Sequence, residues 1–290
     1  MASRFTFEAI GTSWAIYIPE DLSPEREKAL LDAIRTRISD FDKAYSRFRD
    51  DSLVAEMSRK AGEYRLPDDA LPMLSLYREL YDISGGLVTP LVGQTLSDAG
   101  YDAAYTLRPR ADIARAKPWE DVIEYEHPMI RIKEPVLLDF GALGKGYLVD
   151  IVAEVIRGFG IQNYSVDAGG DIAYRGAAPL RVGLENPTDT KQVIGVGELK
   201  GGKCICGSAG NRRAWDRFHH IINPQTAESP KHILALWIVA DTTLLADALS
   251  TALFFVGPEK LAKYDFEYAV VFADRSAVRS HNFPGDFFEA

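Results

Sequence analysis

At 290 residues, with 47% hydrophobic and 26% charged, the chain has the composition of an ordinary globular protein with room for a sizeable core. A formal net charge of -9 and a pI of about 5.2 exclude a broadly basic field, so no nucleic-acid partner is expected. The longest apolar runs, Ile233 to Val239 and Leu253 to Val256, fall far short of the ~20 residues a membrane helix needs, so no membrane span is expected either.

In chain order, Met1 to Thr12 lacks the ~7–15-residue apolar stretch of an export signal, which makes a cytoplasmic location the expectation for the chain as given, or an exported one if a targeting segment precedes it. Phe5 to Tyr17 alternates apolar and polar residues around Gly11 and predicts one opening strand with a kink. Ser23 then caps a helix with Pro24 in its first turn and Leu30, Leu31, Ile34, Ile38, Phe41 and Tyr45 on one face. A second helix is predicted from Asp68 to Ile83, with Leu71, Leu74, Tyr77, Leu80 and Tyr81 inward and a stop at Gly85-Gly86. A third runs from about Lys145 to Gly158. Strands are predicted over 122–125, 130–133, 136–138, 164–167, 180–184, 194–199, 203–207, 233–240 and 269–273. Those over 194–199 and 203–207 flank Gly201-Gly202, a hairpin signal. A last helix spans 244–256, ending at Gly257-Pro258. Helices mixed with meandering strands predict an α+β fold of mostly antiparallel sheets with flanking helices. With no linker, repeat or low-complexity tract, residues 1–290 read as one domain. Cys204 and Cys206 read as small half-buried hydrophobes.

Four segments carry candidate chemistry. Asp139-Phe140-Gly141-Ala142-Leu143-Gly144-Lys145-Gly146-Tyr147 passes through glycines into a helix start, where free amides and the Lys145 charge attract phosphate; it also reads as a plain strand-to-helix turn. Asp167-Ala168-Gly169-Gly170-Asp171 is a turn whose carboxylates can hold a ribose or a metal, or serve the turn alone. Asp247 and Thr251 lie four apart on one face of an almost wholly apolar helix, and a carboxylate there must be paired, capped or metal-bound. Oxygen ligands suit magnesium, although a carboxylate in what the sequence reads as a first helical turn also suits the helix end. His219-His220 precede the turn Ile221-Ile222-Asn223-Pro224, and a histidine beside a phosphate can hold or move a proton near neutral pH; a packed core histidine is the other reading.

Taken together and in order, these segments resemble the FAD:protein FMN transferase family, the ApbE-type proteins. Ala9-Ile10-Gly11-Thr12 is similar to the family's A-M-G-T, Ser46 to Ser52 to S-R-F-x-x-D-S, and Gly86 to Gly93 to G-A-F-D-P-T-V-G. Asp139 to Tyr147 is similar to D-L-G-G-I-A-K-G-Y, Asp167 to Asp171 to N-A-G-G-D, His220 to Pro224 to H-I-I-D-P, and Ala246 to Leu253 to A-D-A-L-A-T-A-L. The resemblance implies FAD contacts at Ile10, Phe48, Leu87, Val88, Thr89, Asp139, Lys145 and Ile222, with Asp171 as a supporting polar residue. It implies a Mg2+ site from the Ala142 carbonyl and the side chains of Asp247 and Thr251, and a catalytic role for His220. FAD is then the substrate, and the second partner is an acceptor redox protein carrying a Thr or Ser flavinylation motif. An FAD pyrophosphatase and a non-catalytic FAD-binding protein are the alternatives. The chain departs from the family pattern at Ile10 for Met, Val88-Thr89 for Phe-Asp, Asn223 for Asp and Ala227 for Gly.

Overall fold

The computed structural model describes residues 2–288. At its centre lies an antiparallel sheet of eight strands, in spatial order Ser3–Ala9, Thr12–Ile18, Tyr164–Ala168, Asp171–Arg175, Cys204–Ala209, Ile233–Ala240, Glu267–Phe272 and Ala277–Arg279. Each strand pairs with the next one of the sheet along the chain. The largest excursion is residues 19–163, which leave the sheet between its second and third strands. One face of the sheet carries the helices Pro24–Tyr45, Leu71–Ser84, Gly144–Gly158 and Thr243–Ala252, whose apolar sides join it in the main core. The other face packs on a small sheet of Leu180–Asn186, Asp189–Leu199 and Gly285–Phe287.

Burial on both faces explains why Ile233–Ala240 is apolar throughout. Leu236, Ile238 and Ala240 enter the helix-side core, while Ala235, Trp237 and Val239 face the small sheet. Cys204 and Cys206 point to the helix side and Ile205 to the other. Both cysteines are free, as expected, but fully rather than half buried, and burial pushes the Cys204 thiol up to about 12.

The α+β class and the antiparallel sheets agree with the sequence, and so does the helix Pro24–Tyr45, whose Ser23 side chain accepts from the Arg26 amide. Five expectations need correction. Phe5 to Tyr17 is a hairpin, because Ile10 and Gly11 both adopt positive φ, 45° and 74°, and close a two-residue turn between paired strands. The second helix begins at Leu71, preceded by Ala70 without a side-chain cap, and leaves Leu71 45% exposed. Residues 136–138 form no strand. Gly201-Gly202 makes a turn but no hairpin: Asp189–Leu199 pairs within the small sheet and Cys204–Ala209 within the large one, so the turn passes the chain between layers. The last helix is Thr243–Ala252, which puts Asp247 in its second turn and not its first. Helix Leu53–Arg59 and the strands Asp171–Arg175 and Gly285–Phe287 went unpredicted.

The helices Gly144–Gly158 and Thr243–Ala252 lie close together and clasp one another. Asp150 of the first accepts from the Thr243 and Leu244 amides at 3.0 and 2.8 Å, capping the second helix from outside. Asp247 of the second accepts from the Gly146 amide at 2.8 Å. The approach depends on Gly146, since a Cβ there would collide with the Thr243 carbonyl and the Asp247 Cβ. Gly146→Ala is therefore expected to lower the urea-unfolding free energy by about 1–3 kcal/mol through overpacking. Gly158→Ala, on the same helix with nothing within 4 Å of the added carbon, should instead be neutral or add up to about 1 kcal/mol.

Candidate active site

The clasp places the start of one helix and the middle of another beside the end of the large sheet. A pocket of about 340 Å³ opens there. Its walls are the hairpin turn at Gly11 and Thr12, Phe48 between two helices, Leu87 to Thr89, the Asp139 to Lys145 turn, Gly169, the strand end Gly207 to Ala209, Arg212 and Arg213, and His220 to Ile222. Asp247, Thr251 and Phe255 form the inner side.

Eleven of the thirteen candidate residues from the sequence line this one pocket: Phe48, Leu87, Val88, Thr89, Asp139, Ala142, Lys145, His220, Ile222, Asp247 and Thr251. Ile10 sits in the hairpin turn and packs against the main core, outside the pocket lining. Asp171 lies behind the wall, fully buried. It forms an ion pair with the Lys145 ammonium, while its Oδ1 has no hydrogen-bond partner.

That ion pair changes what the Asp139 to Tyr147 segment can do. Burial works against the Lys145 charge, but Asp171 and Asp247 more than offset it and raise its pKa above the ordinary lysine value. The ammonium is thus held ionised as a counter-charge to carboxylates of the protein. Three of the first four amides of the helix are also engaged: Gly144 donates to the Phe140 carbonyl at 2.8 Å, Gly146 to Asp247, and Tyr147 to the Leu143 carbonyl at 3.0 Å. Asp139 is similarly occupied. Its Oδ1 accepts from the Gly141 amide at 2.7 Å and its Oδ2 from the buried Arg47, fixing the turn that presents Ala142.

Three oxygen donors meet at the inner side of the pocket. The Thr251 hydroxyl donates to the Ala142 carbonyl at 3.1 Å, so these two are in contact, and the Asp247 carboxylate lies one turn earlier on the same helix face. Burial, then Asp171, pushes the Asp247 pKa up to about 8, although Lys145 and the Gly146 amide pull it down. A carboxylate so costly to ionise asks for a cation. Among the described residues no group of three or more His, Cys, Asp or Glu side chains is placed to hold a metal ion. One carboxylate, one hydroxyl and one carbonyl fit a hard cation that completes its shell with water and substrate phosphate, as magnesium does.

The two adjacent histidines are sorted by their partners. His219 uses both ring nitrogens on backbone: Nδ1 accepts from the Ile221 amide at 3.3 Å, which leaves Nε2 to donate to the Pro230 carbonyl at 2.8 Å. His220 lines the pocket, and its buried Nδ1 has no partner. Burial first, then Arg213, His219 and Lys145, push its pKa down to about 3, so the imidazole is neutral at physiological pH.

Two of the departures from the expected pattern fill a local role that the family residue could also fill. Thr89 supplies a capping oxygen to the Leu91 amide at 3.2 Å, and Asn223 accepts from the Gln225 and Thr226 amides at 2.8 and 3.1 Å, both roles open to an aspartate. Ala227 adopts φ 60°, a conformation glycine reaches without strain. Sequence reasoning missed Arg47 and Arg213. Arg47 stands next to Phe48 within a quoted motif; the Arg212-Arg213 pair carried no spacing signal.

A neutral His220 in the native state, against an ordinary value near 6.5 when unfolded, contributes stability that is complete above about pH 6.5 and lost as pH falls toward 3. His220→Gln should therefore flatten the loss of urea stability between pH 7 and 5 by about 1–2 kcal/mol. In the wild type, NMR titration should find the ring unprotonated at pH 5.

Known proteins resemble this chain in sequence and in fold. A model of the ApbE family matches residues 10–271. The Escherichia coli K12 protein named FAD:protein FMN transferase is 26% identical, over 87% of this chain and 78% of its own length. The Treponema pallidum protein of the same name is 28% identical over the same shares of each chain. Among solved structures, the ApbE protein of Thermotoga maritima superposes with a TM-score of 0.82 at 20% identity, covering 97% of both chains. The flavin transferase ApbE of Vibrio cholerae does so with 0.80 at 21%, covering 98% of both.

Proposed function

This chain belongs to the ApbE family, and from that membership we propose that it transfers the FMN half of FAD to a Thr or Ser hydroxyl of an acceptor redox protein, releasing AMP. The observation that carries the reading is the meeting of a partner-free neutral imidazole and an oxygen-donor set in one pocket. The names of the relatives supply the substrate.

Phosphoryl transfer asks a protein for in-line positioning and for positive charge around the phosphate oxygens. In the proposed reaction the acceptor oxygen bonds to the FMN phosphorus, the bond from that phosphorus to the bridging oxygen breaks, and AMP leaves with the bridging oxygen. The hydroxyl proton passes to His220. A pKa of about 3 makes the free imidazole a weak base, and the arriving anionic diphosphate raises it toward the working range. Ala142, Asp247 and Thr251 would hold a magnesium ion, which supplies charge neutralisation at the diphosphate and the departing AMP. Phe48, Leu87 and Ile222 give the pocket apolar wall for the rings of the dinucleotide.

Incubation with FAD, magnesium and a flavin-accepting redox protein should yield covalent flavin and AMP in equal amounts, read by in-gel fluorescence and chromatography. Free FMN with AMP and no labelled protein would make the chain a pyrophosphatase; unchanged FAD would sink the catalytic reading. Within this reaction, Asp247→Asn preserves an acceptor for the Gly146 amide but removes the only carboxylate of the oxygen set. It should abolish magnesium-dependent turnover with the fold intact, by circular dichroism. Thr251→Ala should do less harm and recover with added magnesium. Normal turnover by Asp247→Asn at low magnesium would exclude the metal assignment.

A further inference from the structure

The pocket is lined by three cationic side chains, and two of them are already spent. Lys145 pairs with Asp171, and Arg212 pairs with Glu185 at 2.6 Å. Arg213 is different. Among the described residues no carboxylate pairs with it; its Nη1 donates to the Tyr101 hydroxyl at 2.9 Å and its Nη2 to the Gly11 carbonyl at 3.4 Å. Both partners are neutral, so the guanidinium is oriented without being neutralised. Two of its five N–H groups are used, which leaves three for another acceptor. Its charge reaches across the pocket, since it acts on both His220 and Asp247.

We infer that Arg213 is the phosphate-binding cation of this pocket and pairs with the diphosphate of the dinucleotide substrate. The inference rests on the proposed reading of FAD as substrate and assigns the phosphate contact to a residue outside the motifs of the sequence. A planar guanidinium with several free donors matches phosphate oxygens better than a point charge does. The Tyr101 hydroxyl and the hairpin carbonyl act as a bracket: they fix the plane of the fork before the anion arrives, so less side-chain freedom is lost on binding. Lys145, held by a buried carboxylate, serves instead to offset the charges of Asp171 and Asp247.

The test compares FAD, FMN and riboflavin binding by flavin fluorescence and calorimetry in EDTA, which stops metal-dependent turnover. Wild type should bind FAD more tightly than riboflavin. Arg213→Gln should weaken FAD by roughly 10–100-fold, the cost of a charge-assisted contact, and leave riboflavin unchanged; Arg213→Lys should fall between. FMN weakened as much as FAD would place the contact on the FMN-side phosphate, and FMN unaffected on the AMP side; either supports the assignment. Equal loss of riboflavin and FAD would show that Arg213 only shapes the pocket and would overturn it. Undiminished FAD affinity in Arg213→Gln, with the wild-type preference intact, overturns this inference alone. A wild type that binds riboflavin as tightly as FAD overturns the FAD reading as well.

Discussion

The site depends on how closely two helices can approach. Where Gly144–Gly158 meets Thr243–Ala252, the missing side chain of Gly146 lets the Asp247 carboxylate reach a backbone amide, and Asp150 returns the contact on the other helix. Each carboxylate lies mostly inside the protein, where an unpaired charge is costly, and each is compensated by N–H donors of the facing helix. The contact sets the distance between Ala142, at the foot of one helix, and Thr251, two turns along the other.

Charge in the pocket follows a strict division. Asp139 is balanced by Arg47, Asp171 by Lys145, and Glu185 by Arg212. What has no ion-pair partner among the described residues is the Asp247 carboxylate on the inner side and the Arg213 guanidinium near the hairpin turn. A substrate carrying a diphosphate, together with a divalent cation, is complementary to that residue of charge. The aromatic shell adds to this order, since the Arg47 guanidinium lies 4.2 Å from the Phe48 ring centre and 4.9 Å from that of Tyr101, holding two pocket walls against one buried cation.

Local order is well written in this sequence; long-range order is not. The helix Pro24–Tyr45 follows from its cap and period, and the strand Ile233–Ala240 from its apolar run. The Asp247 and Thr251 pair follows from helical spacing. The sequence could not show that Lys145 would turn to Asp171, because that depends on helix Gly144–Gly158 packing against strand Asp171–Arg175. Nor could it show that Gly201-Gly202 passes between layers, since a turn signal says nothing about which strands its neighbours join. Arg213 was invisible for the same reason: its partners, Tyr101 and Gly11, are far away in sequence, and only the folded sheet end gathers them.

Residues 19–163 stand between the second and third strands of the large sheet, and this has a consequence for how the protein is made. The hairpin that carries Gly11 and Thr12 leaves the ribosome well before Tyr164–Ala168, the strand it pairs with. It must wait through that whole length of synthesis before it gains its sheet neighbour. Closing so long a loop adds little to the equilibrium cost, which grows only with the logarithm of length, but it slows formation. The hairpin thus gains its sheet neighbour late, and until it does the pocket lacks the wall against which Arg213 is held.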